Sequence, residues 1–182
     1  MKTAVTGGIA EGKSTVLAIL GELGYKTLSA DIVAREVFLD PLVNALLAGI
    51  AGQSPPIEPA VLRQVLAGDA SARHAVNRVM HPRITDRILR SDAEFIEIPL
   101  LIETCLQGSV DCVWVVTCGV KEQLRRLEVR YGNSAEGRLL LNTQLPTEAK
   151  IPFADEVLRT NGPLESVRRD ISTALSRRSN IG

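Results

Sequence analysis

The residues best able to do chemistry lie in one glycine-rich segment near the start of the chain. The segment Gly7-Gly8-Ile9-Ala10-Glu11-Gly12-Lys13-Ser14 matches the phosphate-loop pattern G-x-x-x-x-G-K-[ST] without a gap. Glycines at this spacing let backbone N–H groups converge on phosphates, while the lysine reaches the outer phosphates and the serine hydroxyl binds Mg²⁺. The alternative is a glycine-rich turn with a solvated lysine. We predict that a nucleoside triphosphate is bound by Gly8, Ile9, Ala10, Glu11, Gly12, Lys13, Ser14 and Thr15.

Two carboxylates are expected at the sheet edge that carries this loop. Asp31 follows the second predicted strand, so in a parallel sheet it points into the crevice beyond that strand's carboxyl end. There it can accept the proton of an attacking hydroxyl, and the alternative is that it caps the next helix. Glu97 ends the third predicted strand, where it either supports Mg²⁺, directly or through water, or is an exposed edge-strand glutamate.

The elements that must position these residues alternate along the chain. Apolar, β-favouring runs predict strands over Lys2–Thr6, Tyr25–Ser29, Glu94–Ile98, Cys112–Thr117 and Glu156–Arg159. Helical periodicity predicts helices over Lys13–Leu23, Asp31–Leu47, Pro59–Ala67, Ser71–Ser91, Lys121–Tyr131, Ala135–Gln144 and Leu164–Ser176. This alternation predicts an α/β fold, with a mostly parallel sheet flanked by helices.

The stretch between the second and third strands contains no convincing strand. We therefore expect a helical insertion over about residues 33–92, within a core formed by residues 1–32 and 93–182. At 182 residues the chain fits a single domain that carries this smaller lobe.

Composition excludes several classes of protein. Lys plus Arg equals Asp plus Glu at 21 each, so no overall field favours a nucleic acid or an anionic membrane. No apolar run approaches the roughly 20 residues of a membrane span, and the first residues do not resemble a signal peptide. The three cysteines lack a C-x-x-C spacing, which favours a reduced, cytoplasmic protein over a disulfide or zinc scaffold. A monomer is favoured.

Several further segments follow the loop in a specific order. These segments, taken with the start of the loop, are Thr6-Gly7-Gly8-Ile9, Ala30-Asp31-Ile32-Val33-Ala34-Arg35-Glu36-Val37, His81-Pro82-Arg83-Ile84, Ile98-Pro99-Leu100-Leu101-Ile102-Glu103, Gln144, Ala154-Asp155-Glu156-Val157 and Asn161-Gly162. In their order and spacing, over roughly residues 3 to 170, the chain resembles the dephospho-coenzyme A kinase family of P-loop kinases.

The resemblance implies transfer of the γ-phosphate of ATP to the ribose 3′-hydroxyl of dephospho-coenzyme A. Asp31 matches the family's catalytic aspartate, and the insertion with His81 matches the part that closes over the acceptor. Asn161-Gly162 resembles the turn beside the adenine of ATP. By the same resemblance, the acceptor side of the cleft includes Pro99, Leu100 and Glu103. Without it, His81 before a proline is better explained as a kink with a hydrogen-bonded imidazole.

A small helical lid is expected over about residues 130–150. The segment from Arg130 to Arg138 resembles the family's lid, and phosphoryl transfer needs guanidinium groups that arrive after water is excluded. Arg130 and Arg138 flank the predicted hinge, Gly132-Asn133-Ser134, so we assign Arg138 a catalytic role and Arg130 a role in ATP binding. For Arg125 and Arg126 a solvated basic face is the better explanation.

The chain departs from the family pattern at four places. Ser29 stands where the family commonly has an aspartate, and Glu58-Pro59 replaces a familiar Asp-Arg pair. Ala10 and Glu11 replace the usual glycine and serine of the loop, which puts a negative side chain near the triphosphate unless it points to solvent.

Two other functions stay open from the sequence. A shikimate-type or nucleotide-type kinase shares the loop, lid and size, but should lack the His81-Pro82 and Pro99-Leu100-Leu101 segments. A nucleotide-binding regulator without transferase activity is favoured only by Ser29 and Glu11. A GTPase is disfavoured because no Asn-Lys-x-Asp guanine motif occurs.

Overall fold

The structure is a computed structural model that describes residues 1–132, 141 and 143–178. The chain divides into two compact units. The first comprises Met1–Leu28 and Asp92–Gly182, and the second is Ser29–Ser91.

The strands form a single sheet in the described part of the chain. They are β1 (Thr3–Thr6), β2 (Thr27–Ser29), β3 (Phe95–Glu97), β4 (Cys112–Thr117) and β5 (Glu156–Arg159), in the order β2-β3-β1-β4-β5. The pairs β1–β3, β1–β4 and β4–β5 are parallel. Each predicted strand is confirmed, and the parallel α/β fold with it. Parallel pairing brings the ends of β1, β4 and β5 to one edge of the sheet.

The helices agree with the sequence pattern in most places. They are α1 (Lys13–Glu22), α2 (Ala30–Leu39), α3 (Pro41–Ile50), α4 (Pro59–Gly68), α5 (Ala70–Arg90), α6 (Val120–Tyr131), α7 (Thr147–Lys150) and α8 (Leu164–Arg178). α1 ends before Gly24, whose φ of 90° is the left-handed conformation expected after a helix. The helix predicted over Ala135–Gln144 lies mostly outside the described residues. No described helix combines the length and apolarity needed to cross a membrane.

The helical unit corrects the sequence prediction at Asp40. The single helix predicted over Asp31–Leu47 is wrong, because α2 ends at Leu39 and α3 begins at Pro41. The Asp40 carboxylate accepts hydrogen bonds from the N–H groups of Leu42 and Val43, at 3.0 and 3.2 Å. An aspartate cap followed by proline at the first position is a strong helix start, and it was readable from the sequence.

The long helix predicted over Ser71–Ser91 is confirmed. α5 runs from Ala70 to Arg90 with Pro82 inside it, and His81 is helical despite the following proline. Proline removes one backbone donor from the preceding turn and crowds its carbonyl groups. The Arg83 guanidinium donates to the Val79 carbonyl at 2.7 Å, next to the Arg78 carbonyl whose backbone N–H partner Pro82 replaces.

The core of the first unit lies between the sheet, α1 and α8. It is mostly aliphatic, with one aromatic cluster in which Phe95 is fully buried. The Phe95 ring meets Tyr25 edge-on at 5.2 Å and Trp114 at 5.0 Å between centroids. These contacts fasten β3 beside the strand that leads into the glycine loop.

Phe95→Ala should lower the free energy of unfolding by about 3–5 kcal/mol, because it opens a cavity between β3, α1 and β4. Urea denaturation would measure the loss. Val129→Ala is the control, since that valine is 77% exposed and its loss should cost under about 0.5 kcal/mol. Equal stability of the two variants would contradict this description of the core.

Candidate active site

The glycine loop between β1 and α1 has the backbone of an anion site. Ala10 and Gly12 have φ angles of 62° and 92°, which turn the chain tightly into the helix. The N-cap of α1 is Gly12, which offers no side-chain acceptor, and the first turn of α1 carries no acidic residue. The N–H groups of that turn are therefore suited to bind an external anion, as the sequence predicted.

Two glycines of the loop are required by close packing against the sheet edge. A Cβ atom on Gly7 would overlap the Val116 carbonyl oxygen of β4, and Gly7 also has a φ of 147°. A Cβ atom on Gly12 would lie 2.9 Å from the Thr160 hydroxyl oxygen, just after β5. The loop can lie this close to β4 and β5 only where side chains are absent.

Lys13, Ser14 and Thr15 follow at the start of α1. Lys13 is largely buried, and its Nζ donates to the Gly8 carbonyl oxygen at 2.8 Å, so the amine is held against the loop. Ser14 and Thr15 are exposed, so their hydroxyls are accessible to a ligand. The described residues contain no cluster of three or more metal-binding side chains. Mg²⁺ commonly binds through one or two protein ligands, phosphate oxygens and water, and an exposed Ser14 hydroxyl beside a phosphate site suits that pattern.

Glu11 is buried in the loop rather than turned to solvent. Its side chain is only 1% exposed, so the solvent-facing arrangement is wrong, while its proximity to a triphosphate stays a prediction. Its Oε2 accepts the Gly8 N–H at 2.6 Å and the Thr147 hydroxyl, and its Oε1 accepts the Thr117 hydroxyl at 3.1 Å. The Glu11 backbone carbonyl accepts the Thr160 hydroxyl at 2.6 Å. The carboxylate thus accepts from the loop itself, from β4 and from α7.

Two side chains of α6 donate hydrogen bonds to the carbonyl oxygens of Ile9 and Ala10 in the loop. Buried Gln123 donates from Nε2 to the Ile9 carbonyl at 2.9 Å. Arg126 donates to the carbonyl oxygens of Ala10 at 3.3 Å and Thr160 at 2.5 Å. The solvated assignment for Arg126 is therefore wrong, because this arginine joins the loop to the end of β5.

Arg126 is in turn fixed by Glu122 of the same helix. The Glu122 carboxylate accepts from Arg126 Nε at 2.9 Å and from exposed Arg125 at 2.7 Å. Hydrogen bonds from Arg125 and then Arg126 lower the pKa of Glu122 to about 2. Arg125 is 63% exposed, as expected for a solvated basic face.

A buried ion pair involves the segment that follows β3. Lys150 is fully buried, and its Nζ donates to Glu103 Oε1 and to the Pro99 carbonyl, both at 2.8 Å. The Leu145 N–H also donates to Glu103 Oε1, at 2.9 Å. Burial raises the pKa of Glu103, but the hydrogen bonds from Lys150 and Leu145 outweigh it, and the pKa lies below its usual value. Glu103 Oε2 is buried and has no hydrogen-bond partner among the described residues.

A cavity of about 370 Å³ opens beside the loop within the first unit. Gly8, Ile9, Gln123 and Thr147 line it, together with Gln144. The Gln144 side-chain oxygen is buried and lacks a hydrogen-bond partner in the described part of the chain. Such an unsatisfied acceptor is suited to a ligand that carries a donor.

The candidate residues of the helical unit are Asp31 and His81. Asp31 lies in the first turn of α2 and is exposed, while Ser29 occupies the N-cap position. The alternative that Asp31 caps the helix is therefore wrong. His81 is exposed on α5 and lines a cavity of about 400 Å³. His74 and Arg78 line the same cavity, and the sequence analysis did not single them out.

The remaining candidates lie at several places in the first unit. Glu97 is half-buried on β3, which lies between β2 and β1, so the edge-strand alternative is wrong. Asn161 and Gly162 are exposed after β5, and Leu100 is 41% exposed. Arg130 is exposed at the end of α6, with its guanidinium carbon 5.4 Å from the centroid of the Tyr131 ring. Arg138 lies outside the described residues.

Sequence reasoning missed the buried polar residues that support the loop and the segment after β3. These residues are Thr117, Gln123, Thr147, Lys150 and Thr160. Thr117 ends β4 and Thr160 follows β5, and the carboxyl ends of both strands meet the loop. The argument that placed Asp31 beyond the carboxyl end of a parallel strand could therefore have found these two threonines. Gln123, Thr147 and Lys150 gave no such signal, because each lies on a helix whose orientation depends on tertiary packing.

Comparison with known proteins gives consistent matches over nearly the whole chain. Residues 1–166 match the family model described as CoaE, dephospho-CoA kinase. A dephospho-CoA kinase from Carboxydothermus hydrogenoformans is 33% identical over 189 residues, which covers 95% of this chain and 92% of that protein. The structure of TT1252 from Thermus thermophilus is similar with a TM-score of 0.82 and 29% identity, over 97% of both chains. A dephospho-CoA kinase from Campylobacter jejuni gives a TM-score of 0.73 and 26% identity, over 99% of this chain and 98% of the other.

Ala10→Gly should stabilise the protein by about 1 kcal/mol, because the φ of 62° at Ala10 is costly for a residue with a Cβ atom. Thermal and urea unfolding would measure the gain. The same change at exposed Ala18 inside α1 is the control and should destabilise by about 1 kcal/mol. A loss of stability at both positions would show that the loop conformation does not favour glycine.

Acidification should weaken the Glu122–Arg126 arrangement in a defined pH range. The folded pKa of Glu122 is about 2 and its ordinary value is 4.5, so its contribution is fully present above about pH 4.5 and is lost as the pH falls toward 2. Urea midpoints at pH 5 and pH 3 should therefore fall more for the unmodified protein than for Glu122→Gln. Equal falls would contradict the assignment.

Proposed function

The chain belongs to the dephospho-CoA kinase family, and we propose that it transfers the γ-phosphate of ATP to the 3′-hydroxyl of dephospho-coenzyme A, the last step of coenzyme A synthesis. The observation that carries the proposal is the loop before α1. Its backbone turns into an uncapped helix N-terminus, and Lys13 is held against it, as binding of a triphosphate requires.

In the proposed reaction, Asp31 accepts the proton of the attacking hydroxyl. A bond then forms between that hydroxyl oxygen and the γ-phosphorus, the bond from the γ-phosphorus to the bridging oxygen breaks, and ADP leaves. Lys13 and the amides of the first turn of α1 stabilise the charge on the phosphates, and we assign the same role to Arg138. Arg130 and the Asn161-Gly162 turn are proposed contacts of ATP.

The exposed hydroxyl of Ser14 is the proposed protein ligand of Mg²⁺, with half-buried Glu97 as a supporting acid. When bound, Mg²⁺ neutralises charge on the β- and γ-phosphates. Thr15, one residue further along α1, is exposed and is proposed to donate to a phosphate oxygen.

Two features support binding of the acceptor by the residues that the resemblance assigned to it. The buried Oε2 of Glu103 has no hydrogen-bond partner among the described residues, so it can accept a hydrogen bond from a ligand. On the helical unit, His81 lies in a cavity together with Arg78, which suits an anionic substrate. Pro99 and Leu100 precede Glu103 and are assigned to the same side.

A shikimate-type or nucleotide-type kinase is not favoured, because relatives of at least 30% identity over nearly the full chain are dephospho-CoA kinases.

We further propose that the protein is a monomer in the cytoplasm. The three cysteines are free thiols, and burial raises the pKa of Cys112 to about 11, so this thiol is poorly reactive.

The direct test is a coupled ADP-release assay with ATP, Mg²⁺ and dephospho-coenzyme A, and chromatography should identify coenzyme A as the product. Asp31→Asn should lower kcat by about 10²–10⁴-fold, the range for a general base, and leave ATP binding largely intact. Asp170→Asn, at an exposed position of α8, is the matched control and should retain full turnover.

Full turnover by Asp31→Asn would remove the assigned base. Phosphorylation of shikimate or of a nucleotide, with no turnover of dephospho-coenzyme A, would replace the proposed acceptor. ATP binding without a phosphorylated product would favour a nucleotide-binding regulator.

A further inference from the structure

The phosphate loop contains a buried carboxylate that no step of the proposed reaction uses. We propose that Glu11 is a positioning residue, which holds the loop ready for ATP by fastening its first turn to β4 and to α7. The proposal rests on the proposed function only in taking ATP as the ligand of the loop.

The geometry distributes the two carboxylate oxygens of Glu11 among three separate segments. Oε2 accepts the N–H of Gly8, directly after β1, and the hydroxyl of Thr147 at the start of α7. Oε1 accepts the hydroxyl of Thr117, the last residue of β4. Thr147 adds a second link, since its hydroxyl oxygen also accepts the Gly8 N–H at 3.1 Å. One side chain therefore connects the loop to two elements that are distant in sequence.

The length of the Glu11 side chain is essential to these contacts. A carboxylate has about four acceptor sites at the end of two carbons beyond Cβ, whereas a serine hydroxyl is bonded to Cβ itself. The serine that the related kinases commonly have at this position could not span the same three donors. The substitution therefore adds links that the common loop sequence lacks.

Two opposite effects of Glu11 on ATP can be separated by experiment. If the carboxylate acted mainly by its charge, it would repel the triphosphate, and its removal would tighten ATP binding. If it acts as an anchor, its removal lets the loop leave the binding conformation, and the apparent affinity falls in proportion to the fraction that remains competent. Its burial and its three donors favour the anchor.

The test compares Glu11→Gln, Glu11→Ala and Thr147→Val in the full chain. Calorimetry with Mg²⁺ and the non-hydrolysable analogue AMP-PNP gives Kd, and the ADP-release assay gives KM and kcat. Glu11→Ala should raise Kd and the KM for ATP about tenfold with kcat nearly unchanged, because the anchor acts on binding and transition state alike. Glu11→Gln should stay within about threefold, since its amide oxygen can accept from Gly8 and Thr147 while Thr117 turns to accept from the amide nitrogen.

A double-mutant cycle between Glu11 and Thr147, measured as Kd for AMP-PNP, tests the proposal in a second way. Thr147→Val removes one hydroxyl with little change of shape and should raise Kd several-fold. In the Glu11→Ala background the same change should raise Kd by a smaller factor, because only the direct hydrogen bond from the Gly8 N–H to Thr147 is then left to lose. Glu165→Gln, at an exposed position of α8, is the control and should bind as the unmodified protein does. If Glu11→Ala does not fold, Glu11→Gln and Thr147→Val still test the proposal.

Tighter AMP-PNP binding by Glu11→Ala, or unchanged Kd in both Glu11→Ala and Thr147→Val, would overturn the proposal. So would additive effects of the two changes, or a fall in kcat and melting temperature without a change in Kd. Failure of the unmodified protein to phosphorylate dephospho-coenzyme A would refute the proposed function but leave the AMP-PNP measurement valid.

Discussion

A phosphate loop must be held in place without using the N–H groups that its ligand needs. Amides that bind phosphates cannot also form the internal hydrogen bonds that stabilise an ordinary turn, so other contacts must hold the backbone. In this protein the Gly8 N–H is used internally, since it donates to Glu11 and Thr147. Side chains of neighbouring elements contact the loop backbone at its carbonyl oxygens. Gln123 holds Ile9, Arg126 holds Ala10, and Thr160 holds Glu11. The sheet and helices of the first unit bring these three donors to the loop.

The parallel sheet satisfies this need because it brings several strand ends to one edge. β4 ends at Thr117 and β5 is followed by Thr160, and both hydroxyls reach Glu11. The aromatic cluster around Phe95 and the packing of α1 and α8 keep these strands in register. A buried, apolar core thus supports a polar rim in which the carbonyl oxygens of Ile9, Ala10 and Glu11 each have a side-chain donor.

A second polar network joins the end of the predicted lid to the segment that follows β3. Lys150 and the Leu145 N–H converge on Glu103, and Lys150 also reaches the Pro99 carbonyl. A buried lysine is costly unless it is paired, so these contacts constrain where α7 can lie. Since Thr147 of the same helix binds Glu11, α7 contacts both the loop and the segment Pro99–Glu103.

The sequence by itself determined the order of strands and helices along the chain, the phosphate loop and the family. These features depend on local patterns: apolar periodicity, glycines at fixed spacing, and short motifs in order. It missed the helix boundary at Asp40-Pro41 and placed Arg126 in solvent. Tertiary structure alone decided which way Glu11 points, because the donors that bury its carboxylate come from Thr117 and Thr147, more than a hundred residues away in the chain. Whether a charged side chain is solvated or buried depends on such distant partners, and no local pattern encodes them.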